Sequence, residues 1–599
     1  MPTYKAPLED IRFVLHELLG MERLTKLPGY GDASPELVDQ ILEEAARFME
    51  SELFPLNQSG DEEGCHYENG VVRTPKGFKE AYDKFREAGW TSLAAEPEYG
   101  GQGLPQTIHF ALSELMSSAN MAFGMYPGLS YGAYEALLLH GTEEQKQIYL
   151  PKLVDGTWTG TMCLTEAHCG TDLGMIRTKA VPVGDGSYKI TGTKIFISAG
   201  EHDLADNIVH LVLAKLPDAP AGTRGISLFV VPKFLPKEQN GTWVAGVRNG
   251  VMCGSIEHKM GIKASSTAVL NFDEAVGWLV GKPHAGMKAM FTMMNAARLG
   301  VGFQGLGVAE VAYQNAVAYA KDRLQGRSLT GAKAPDKPAD PIIVHPDVRK
   351  NLMWIKALNE GARALGLWVG TQIDTYLKHP DPAERQKAED FVALMTPIVK
   401  AFFTDYGFEA TVRAQQMYGG HGYIREWGME QFVRDARIAQ IYEGANAIQA
   451  LDLVGRKLPA HMGRLLRTFF HPLGAELEEA MADPAMAAYA GQLAKAYGRL
   501  QQATAWIAQK GMANPEEAGA ASTDYLKMFA LVAFGWMWLR MAKVAAAKLP
   551  QADGRAGFYD AKLKTAEFFY ARILPETSAL FAGIMSGAKP MMQMAPEQF

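Results

Sequence analysis

A block of short β-branched runs lies between two long stretches of helical periodicity, and this order constrains the fold more than any other feature of the sequence. The block begins after Thr157, and strands are predicted over residues 187–198, 208–213, 226–231 and 268–272. Because no long helix separates these strands, they are typical of an antiparallel barrel or sandwich.

Helical periodicity fills most of the remaining chain. Apolar residues recur at three- and four-residue spacing over residues 36–50, and the same period returns at Gly286 and continues, with breaks at prolines, to about Ser586. Residues 326–346 are rich in Pro, Lys and Asp and are predicted to form a surface loop. The pattern predicts an α+β protein in which helices, then strands, then further helices follow one another.

Composition argues against several classes of protein. There are 59 Lys and Arg against 66 Asp and Glu, the formal net charge is −7, and no basic run is present, so a nucleic-acid partner is not expected. Four cysteines are too few for a disulfide framework. The N-terminus lacks a signal-peptide core, and the apolar run Met528–Leu539 is shorter than the roughly 20 residues that span a bilayer. We expect a cytoplasmic protein in which this run is buried, in preference to a peripheral membrane contact.

Two short motifs resemble ligand sites, but their context favours structural roles. Gly300–Gly305 matches the G-x-G-x-x-G pattern of dinucleotide sites, yet helical periodicity precedes it where a strand is required, so close helix packing is favoured. Cys163 and Cys169 bracket His168 without a second pair of ligands, which favours a structural role and predicts no metal site.

Three segments are dense in groups that can bind a ligand. Residues 162–174 offer backbone donors, hydroxyls and a carboxylate, residues 416–423 include three glycines in four positions, and residues 434–449 place Glu443 between apolar residues and Gly444. Taken alone, each segment has a simpler structural explanation. The first is better explained as a polar turn, the second as a helix C-cap followed by a turn, and the third as an acid that complements a helix dipole.

Taken together, in order and spacing, the segments resemble the motifs of the acyl-CoA dehydrogenase family. Cys163–Asp172 is similar to the family's flavin loop C-x-T-E-x-x-x-G-[ST]-D, and residues 194–198 are similar to the strand that follows it. Residues 416–422 resemble its second glycine motif, and Arg434–Gly444 resembles its catalytic signature R-D-x-[RK]-x-x-x-I-Y-E-G. The resemblance covers about residues 89–458.

The resemblance implies an N-terminal α-helical domain, a central antiparallel β-barrel or sandwich and a C-terminal four-helix bundle, with additions at both ends. The predicted boundaries are 1–45 for an N-terminal helical extension, 46–157 for the N-terminal α domain, 158–282 for the middle β domain, 283–458 for the four-helix domain and 459–599 for an additional helical domain.

The resemblance also implies bound FAD, an acyl-CoA substrate, trans-α,β-dehydrogenation and transfer of electrons to an electron-transfer flavoprotein. Glu443 is then the base that removes the α-proton, while the flavin accepts the β-hydride. Some family members place the base immediately before an arginine on an earlier helix, but here Ala297 precedes Arg298 and offers no carboxylate. After Gly444, Ala445-Asn446 replaces the usual Thr-Ser or Thr-Gln.

Other site residues are implied by their positions in the family motifs. The flavin contacts are Met162, Leu164, Thr165, Gly170, Thr171, Phe196 and Ser198. The residues implied to reach the FAD phosphates and adenine across a subunit interface are Arg323, Gln325, Gln416, Gly419 and Gly420. The substrate contacts are Thr171, Arg298, Tyr442 and Gly444. A shared site implies a homodimer or a dimer of dimers.

The sequence leaves open which acyl-CoA is the substrate and which molecule accepts the electrons. The length of the chain is similar to that of a large bacterial branch that includes 3-methylmercaptopropionyl-CoA dehydrogenase, and to that of the very-long-chain branch. The substrate is therefore either 3-methylmercaptopropionyl-CoA or a medium- to long-chain fatty acyl-CoA of the kind used in fatty acid β-oxidation. The alternatives are an acyl-CoA oxidase that uses O₂ and a catalytically silent relative that serves in assembly or binding.

Overall fold

The computed structural model describes residues 2–599, which form two compact units that are discontinuous along the chain. Unit 1 comprises the residues up to Ala46, Pro105–Ser118 and Val301–Phe599. Unit 2 comprises Arg47–Leu104 and Ala119–Gly300. The boundaries of the five domains predicted along the sequence stay predictions.

The helices and strands are numbered in chain order. The α-helices are α1 (Leu8–Arg12), α2 (Pro35–Phe48), α3 (Pro55–Glu63), α4 (Phe78–Glu87), α5 (Gln106–His140), α6 (Glu143–Val154), α7 (Gly286–Asp322), α8 (Pro346–Lys378), α9 (Pro382–Met417), α10 (Met429–Arg437), α11 (Asn446–Asp452), α12 (Arg464–Ala482), α13 (Ala487–Ala513), α14 (Pro515–Lys548), α15 (Ala556–Arg572), α16 (Glu576–Met585) and α17 (Lys589–Met592). The strands are β1 (His66–Glu68), β2 (Val71–Arg73), β3 (Trp158–Cys163), β4 (Lys179–Pro182), β5 (Ser187–Ser198), β6 (Asn207–Lys215), β7 (Ile226–Pro232), β8 (Phe234–Gln239), β9 (Thr242–Arg248), β10 (Val251–Ile256) and β11 (Thr267–Val280).

Seven strands of unit 2 form one sheet in the order β10-β11-β5-β4-β6-β3, and β7 pairs with both β6 and β11. The strands β11, β5, β4, β6 and β7 therefore close a ring, so that the structure has the barrel of the two predicted alternatives, a barrel or a sandwich. Its closure between β4 and β6 is a single pair, Lys179 with Lys215. That contact and the β3–β6 pairing are parallel, unlike the antiparallel arrangement predicted, because the chain between β3 and β6 is long enough for a crossover.

Buried apolar side chains fill the barrel because alternate residues of each strand face inward. Ile190 on β5, Val212 on β6 and Phe229 on β7 are completely buried, and Phe272 on β11 is nearly so. The barrel is thus a rigid support for the loop that follows β3 and for the end of β5.

α5 is two helices joined at Asn120, where φ of −162° and ψ of 89° interrupt the helical backbone. The Asn120 Oδ1 accepts a hydrogen bond from the backbone N–H of Phe123 at 3.0 Å, which is N-cap geometry. Its Nδ2 donates to the carbonyl oxygen of Leu53 at 3.2 Å. The chain passes from unit 1 to unit 2 within one residue of this break.

The Gly300–Gly305 motif lies inside the continuous helix α7. Two of its glycines, Gly302 and Gly305, pack against another helix, as predicted. A Cβ on Gly302 would lie 2.8 Å from the side chain of Val399, and a Cβ on Gly305 would lie 2.4 Å from the carbonyl oxygen of Phe403. Both partners are on α9. The glycines are therefore required for the close approach of the two helices.

The apolar run Met528–Leu539 lies in α14, and all of its residues are buried. Trp536 packs edge-on against Trp368 of α8 at 5.0 Å, and the Trp538 Nε1 donates to the carbonyl oxygen of Ala357 at 3.0 Å. Among residues 2–599, one helix, Pro515–Gln551, is long and apolar enough to cross a membrane, but 83% of its apolar window is buried. Buried core helices pass the same test, so this helix is weak evidence for a membrane span.

Candidate active site

A buried lysine fastens the loop after β3 to the barrel. Lys194 on β5 is completely buried, and its Nζ donates to the carbonyl oxygen of Leu164 and to the Glu166 Oε1, each at 2.9 Å. The backbone N–H of Ile195 donates to the carbonyl oxygen of Thr165, also at 2.9 Å. These contacts fix the backbone at two of the predicted flavin contacts, Leu164 and Thr165.

Glu166 is held as a carboxylate by its surroundings. Its oxygens accept hydrogen bonds from the Thr178 Oγ1 at 2.6 Å, the Thr178 N–H at 3.0 Å and the Arg177 N–H at 2.7 Å, besides the bond from Lys194. Burial alone would raise its pKa, but the Lys194 ammonium and these hydrogen bonds lower the pKa of Glu166 to about 2. The loop is therefore anchored by a buried ion pair at neutral pH.

Glu166, His168 and Cys169 each offer one potential metal-ligand atom within 4.8 Å of one another. The Glu166 oxygens already accept hydrogen bonds from the protein, and the His168 Nε2 lies 2.8 Å from the carbonyl oxygen of Met175. Cys163 belongs to the core of the barrel. The predicted structural role of this segment, with no metal, stays a prediction that these contacts support.

A β-bulge in β5 presents Phe196 at the surface of unit 2. Lys194 pairs with Leu270 and Ile197 with Ala268, so that three steps along β5 oppose two along β11. Phe196 has a left-handed φ of 58° and is 59% exposed. Bulges re-aim side chains, and strained residues cluster at ligand sites. An exposed aromatic ring on a rigid strand suits the face of a planar cofactor ring.

The other predicted contacts in unit 2 differ in exposure. Ser198 on β5 and Met162 on β3 are half-buried, whereas Gly170 and Thr171 are exposed in the loop after β3. Arg298 lies on α7 and is 7% exposed, with its guanidinium 6.0 Å from the ring centre of Phe291. The β3 loop and β5 thus form one group, and Arg298 comes from a separate element.

In unit 1, Arg323 and Gln325 follow α7 and are exposed. The predicted loop over residues 326–346 is ordered around the Asp340 carboxylate, whose nearest backbone donor is the N–H of Ala334 at 2.7 Å. Hydrogen bonds from the backbone N–H groups of Ser328 and two further loop residues lower the pKa of Asp340 to about 2. The Gln325 N–H also donates to the Asp340 carbonyl oxygen at 3.0 Å, which fixes the backbone beside both side chains.

The second glycine motif is exposed and accessible at its backbone. Gln416, at the end of α9, Gly419 and Gly420 are exposed, and the positions that Cβ atoms on these glycines would occupy are open. Gly419 has a φ of 55°, which favours glycine. Tyr418 stacks on Tyr319 at 4.1 Å and supports the motif from within unit 1. A bulky ligand can therefore approach this backbone closely.

Glu443 lies on a strained turn that precedes α11. Glu443 and Gly444 have successive left-handed φ values of 57° and 84°. A left-handed conformation costs a glutamate about 1–2 kcal/mol, so the surroundings must hold it. The Gln449 Nε2 donates to both of their carbonyl oxygens at 3.2 Å, and the Lys400 Nζ donates to that of Gly444 at 2.8 Å. Glu443 itself is half-buried.

The predicted substrate contacts Tyr442 and Gly444 flank Glu443 in this turn. Tyr442 is half-buried and its hydroxyl donates a hydrogen bond to the Gln304 Oε1 on α7. Burial and the neighbouring charge of Glu443 raise the pKa of Tyr442, so its hydroxyl stays protonated and keeps this bond. Tyr442 thus fixes the turn on the side that precedes Glu443.

The sequence analysis did not predict which side chains hold the predicted site residues in position. These residues are Glu166, Lys194, Gln304, Lys400 and Gln449. One signal was available, because Lys400 is a charged residue within the apolar run Ile398–Phe403, and a fully buried lysine is rare unless it has partners. The identity of those partners required the structure.

The exposed groups fit a flavin dinucleotide. Unit 2 offers an exposed aromatic ring at Phe196 and a polar loop at Gly170 and Thr171. Unit 1 offers the Arg323 guanidinium, which suits a phosphate, and an open glycine backbone at Gly419. A flavin ring held by Phe196 and the loop of unit 2 would supply the hydride acceptor that no side chain provides.

Four family models match successive parts of the chain. The model described as acyl-CoA dehydrogenase, N-terminal domain, matches residues 35–157, the middle-domain model matches 161–275, and the C-terminal-domain model matches 284–458. A fourth, described as acetyl-CoA dehydrogenase C-terminal like, matches residues 473–595. The matches follow the order of helical, β and helical segments seen in the structure.

Relatives of similar length align over nearly the whole chain. The 3-methylmercaptopropionyl-CoA dehydrogenase of Ruegeria pomeroyi is 44% identical over 96% of this chain and 97% of its own. The broad-specificity linear acyl-CoA dehydrogenase FadE5 of Mycobacterium tuberculosis is 35% identical over 96% of each chain. A butyryl-CoA dehydrogenase of Syntrophomonas wolfei is 34% identical over 100% of this chain and 99% of its own.

Solved structures share the fold, including the C-terminal addition. An acyl-CoA dehydrogenase from Bacillus anthracis, solved with FAD, has a TM-score of 0.74 and 22% identity and covers 94% of this chain and 90% of its own. Caenorhabditis elegans ACDH-11, solved with C11-CoA, has a TM-score of 0.77 and 19% identity and covers 95% and 91%. The predicted fold is confirmed, and the chain belongs to the acyl-CoA dehydrogenase family and is an enzyme with FAD as its cofactor.

Proposed function

We propose that Glu443 is the base that removes the α-proton of an acyl-CoA thioester, which the enzyme converts to the trans-2-enoyl-CoA. The observation that carries this proposal is the half-buried Glu443 on a turn whose carbonyl oxygens are engaged by Gln449 and Lys400. A base is effective only when it is held within hydrogen-bond reach of the proton that it takes. The fixed turn meets that requirement.

The chemistry of the step explains why a carboxylate and backbone donors stand together. The Glu443 carboxylate takes the proton from the α-carbon, and FAD, when bound, would supply the acceptor for the hydride that leaves the β-carbon. Negative charge develops on the thioester oxygen, and the family resemblance assigns the backbone N–H of Glu443 to that oxygen. Because Gln449 and Lys400 engage the carbonyl oxygens of this turn, its peptide orientation is set before the substrate binds.

The Glu443→Gln variant tests the base. We expect it to keep FAD, because Gln is isosteric, and to lose the anaerobic bleaching of flavin absorbance by acyl-CoA by about 10⁴-fold, since general-base catalysis contributes up to that factor. The matched control is Glu409→Gln, which removes an exposed carboxylate paired with Arg413 on α9. Undiminished bleaching in Glu443→Gln would show that another group takes the proton.

We propose 3-methylmercaptopropionyl-CoA as the substrate, with short linear acyl-CoA thioesters as poorer ones. The support is the 44% identity, over nearly the full length of both chains, to a relative named for that thioester, against 35% or less for the linear and butyryl enzymes. Anaerobic bleaching by 3-methylmercaptopropionyl-, butyryl-, octanoyl- and palmitoyl-CoA separates the alternatives. The highest bimolecular rate constant with palmitoyl-CoA would contradict the proposal.

We also propose an electron-transfer flavoprotein as the acceptor, as the family resemblance implies. An oxidase would reoxidise its flavin with O₂ and release peroxide at the rate of turnover, and a silent relative would neither bleach nor turn over. Comparing turnover with electron-transfer flavoprotein and with O₂ alone distinguishes the three. We further propose that the enzyme is a homodimer or a dimer of dimers and lies in the cytoplasm. Light scattering of the holoenzyme distinguishes these two assemblies from each other and from a monomer.

A further inference from the structure

We infer that Lys400 and Asn446 are positioning residues that fix the turn of Glu443 from the side of α9. This inference rests on the proposed function, because it gives these residues a role in proton abstraction through Glu443. Lys400 lies outside the motifs that identify the flavin and the base, and Asn446 is one of the two residues after Gly444 at which this chain departs from the usual family sequence. Their hydrogen-bond partners Gly444, Ala401, Thr404 and Asp405 lie within unit 1.

The Lys400 ammonium contacts two residues that follow Glu443, namely Gly444 in the turn and Asn446 at the start of α11. Its Nζ donates to the carbonyl oxygen of Gly444 and to the Oδ1 of Asn446, each at 2.8 Å. Lys400 is completely buried, so these are strong charge-assisted hydrogen bonds in a medium of low dielectric constant. The ammonium therefore sets the distance between α9 and the turn.

Asn446 links the turn to α9 by a second route. Its Nδ2 donates to the Thr404 Oγ1 at 2.9 Å, to the carbonyl oxygen of Ala401 at 3.1 Å and to the Asp405 Oδ1 at 2.6 Å. The four residues of α9 that contact Asn446 share one face of the helix, because they stand at positions i, i+1, i+4 and i+5: Lys400, Ala401, Thr404 and Asp405. A single helix face thus holds both the backbone and the side chain of the segment after Glu443.

The strain of the turn explains why it needs such restraint. Glu443 has a φ of 57°, which a non-glycine residue keeps only when its surroundings determine it. The carbonyl oxygen of Gly444 accepts from both Lys400 and Gln449, so loss of Lys400 leaves one weaker donor at 3.2 Å. Relaxation of the turn would displace the carboxylate and the N–H of Glu443 together.

The Lys400→Met variant tests the inference in the holoenzyme. Methionine keeps an unbranched side chain, which is shorter by the terminal atom, and removes the charge. We expect flavin reduction per bound FAD to fall about 100-fold, the loss that a displacement of about 1 Å causes, while the substrate Kd changes little. A 3-thiaacyl-CoA, which can lose its α-proton but has sulfur in place of the β-carbon, gives a second readout: its long-wavelength charge-transfer absorbance with bound FAD should weaken in Lys400→Met.

Two further variants separate positioning from stability. Asn446→Ala should slow flavin reduction in the same direction. The double variant should lose more than Lys400→Met alone but less than the product of the two single losses, because the two residues share one hydrogen bond and each has further contacts of its own. The matched control is Lys562→Met, which removes another buried lysine of unit 1 that has no contact with the turn. It should lower the melting temperature and leave flavin reduction per bound FAD unchanged.

The outcomes separate this inference from the proposed function. The inference is overturned if Lys400→Met reduces its flavin at the wild-type rate. If Lys400→Met does not fold, the same result in Asn446→Ala overturns it. In either case a loss of bleaching in Glu443→Gln would still support Glu443 as the base. The inference is also overturned if flavin reduction in Lys400→Met falls only in proportion to the loss of bound FAD. It is overturned as well if flavin reduction per bound FAD falls equally in Lys562→Met. Undiminished bleaching in Glu443→Gln overturns the base assignment and the inference together.

Discussion

Glu166 illustrates how the environment of one residue sets its charge and its contribution to stability. Its pKa of about 2 in the folded state lies below the ordinary value of 4.5 for a glutamate, so the group stabilises the fold above about pH 4.5 and this contribution is lost as the pH falls towards 2. Glu166→Gln leaves the buried Lys194 ammonium without a counter-charge. We expect a loss of about 3–5 kcal/mol at pH 7 and an earlier release of FAD on heating.

The measurement compares the melting temperatures of wild type and Glu166→Gln at pH 7 and at pH 4. The difference between the two melting temperatures should be smaller at pH 4 than at pH 7, because at pH 4 the wild type has begun to lose the stabilisation from its Glu166 carboxylate. The control is Glu274→Gln, which removes an exposed partner of Lys189 on the same barrel and should change stability by less than about 1 kcal/mol. A gap that stays constant with pH would contradict the role of the ionised pair.

At the scale of residues, the motifs in the sequence predicted candidate site residues but not the contacts that hold them. Glu443 and Phe196 could be named because they lie in motifs with fixed spacing. Lys400 could not be assigned a role, because its acceptor at Gly444 is a backbone oxygen 44 residues away, and any residue type supplies such an oxygen. Hydrogen bonds to backbone atoms leave no residue-specific pattern in a sequence.

At the scale of elements, the close packing of α7 on α9 gives a test with an internal control. A Cβ on Gly305 would lie 2.4 Å from the carbonyl oxygen of Phe403, which is helix backbone and has little freedom to move. Gly305→Ala should therefore destabilise the protein by about 1–3 kcal/mol. Gly300→Ala lies on the same helix with no atom near the added Cβ, and it should be neutral or stabilising by about 0.5–1 kcal/mol. Equal melting temperatures for the two variants would contradict the packing argument.

The order of elements was predictable because helical and extended periodicities differ over long segments. Two departures have local causes that periodicity does not record. α5 breaks at Asn120 because its side chain caps Phe123 and contacts Leu53, a contact 67 residues away in the sequence. β3 pairs in parallel with β6 because the direction of pairing depends on the connection and not on the strand residues.

At the scale of the molecule, the additions at the two ends of the chain are joined through buried ions in unit 1. Arg363 on α8 donates to Glu114 at 3.0 and 3.1 Å and also pairs with Asp10 of the N-terminal extension. Lys562 of the C-terminal addition pairs with the same Asp10 and with Glu360, the latter at 2.8 Å. The sequence predicted two appended segments but not this junction, because Lys562 and Asp10 are 552 residues apart.

This junction predicts that a change in the C-terminal addition loosens the N-terminal extension. Lys562→Met leaves the buried Asp10 and Glu360 without one cation, so we expect a loss of about 3–5 kcal/mol. Limited proteolysis should then cleave within the first 46 residues faster than in wild type, because Asp10 loses one of its two cationic partners. Lys564→Met, on the same helix with an exposed pair to Asp560, should leave the cleavage rate unchanged. Unchanged protection of the N-terminal residues in Lys562→Met would show that the extension is held by apolar packing alone, with the ion network contributing nothing to its attachment.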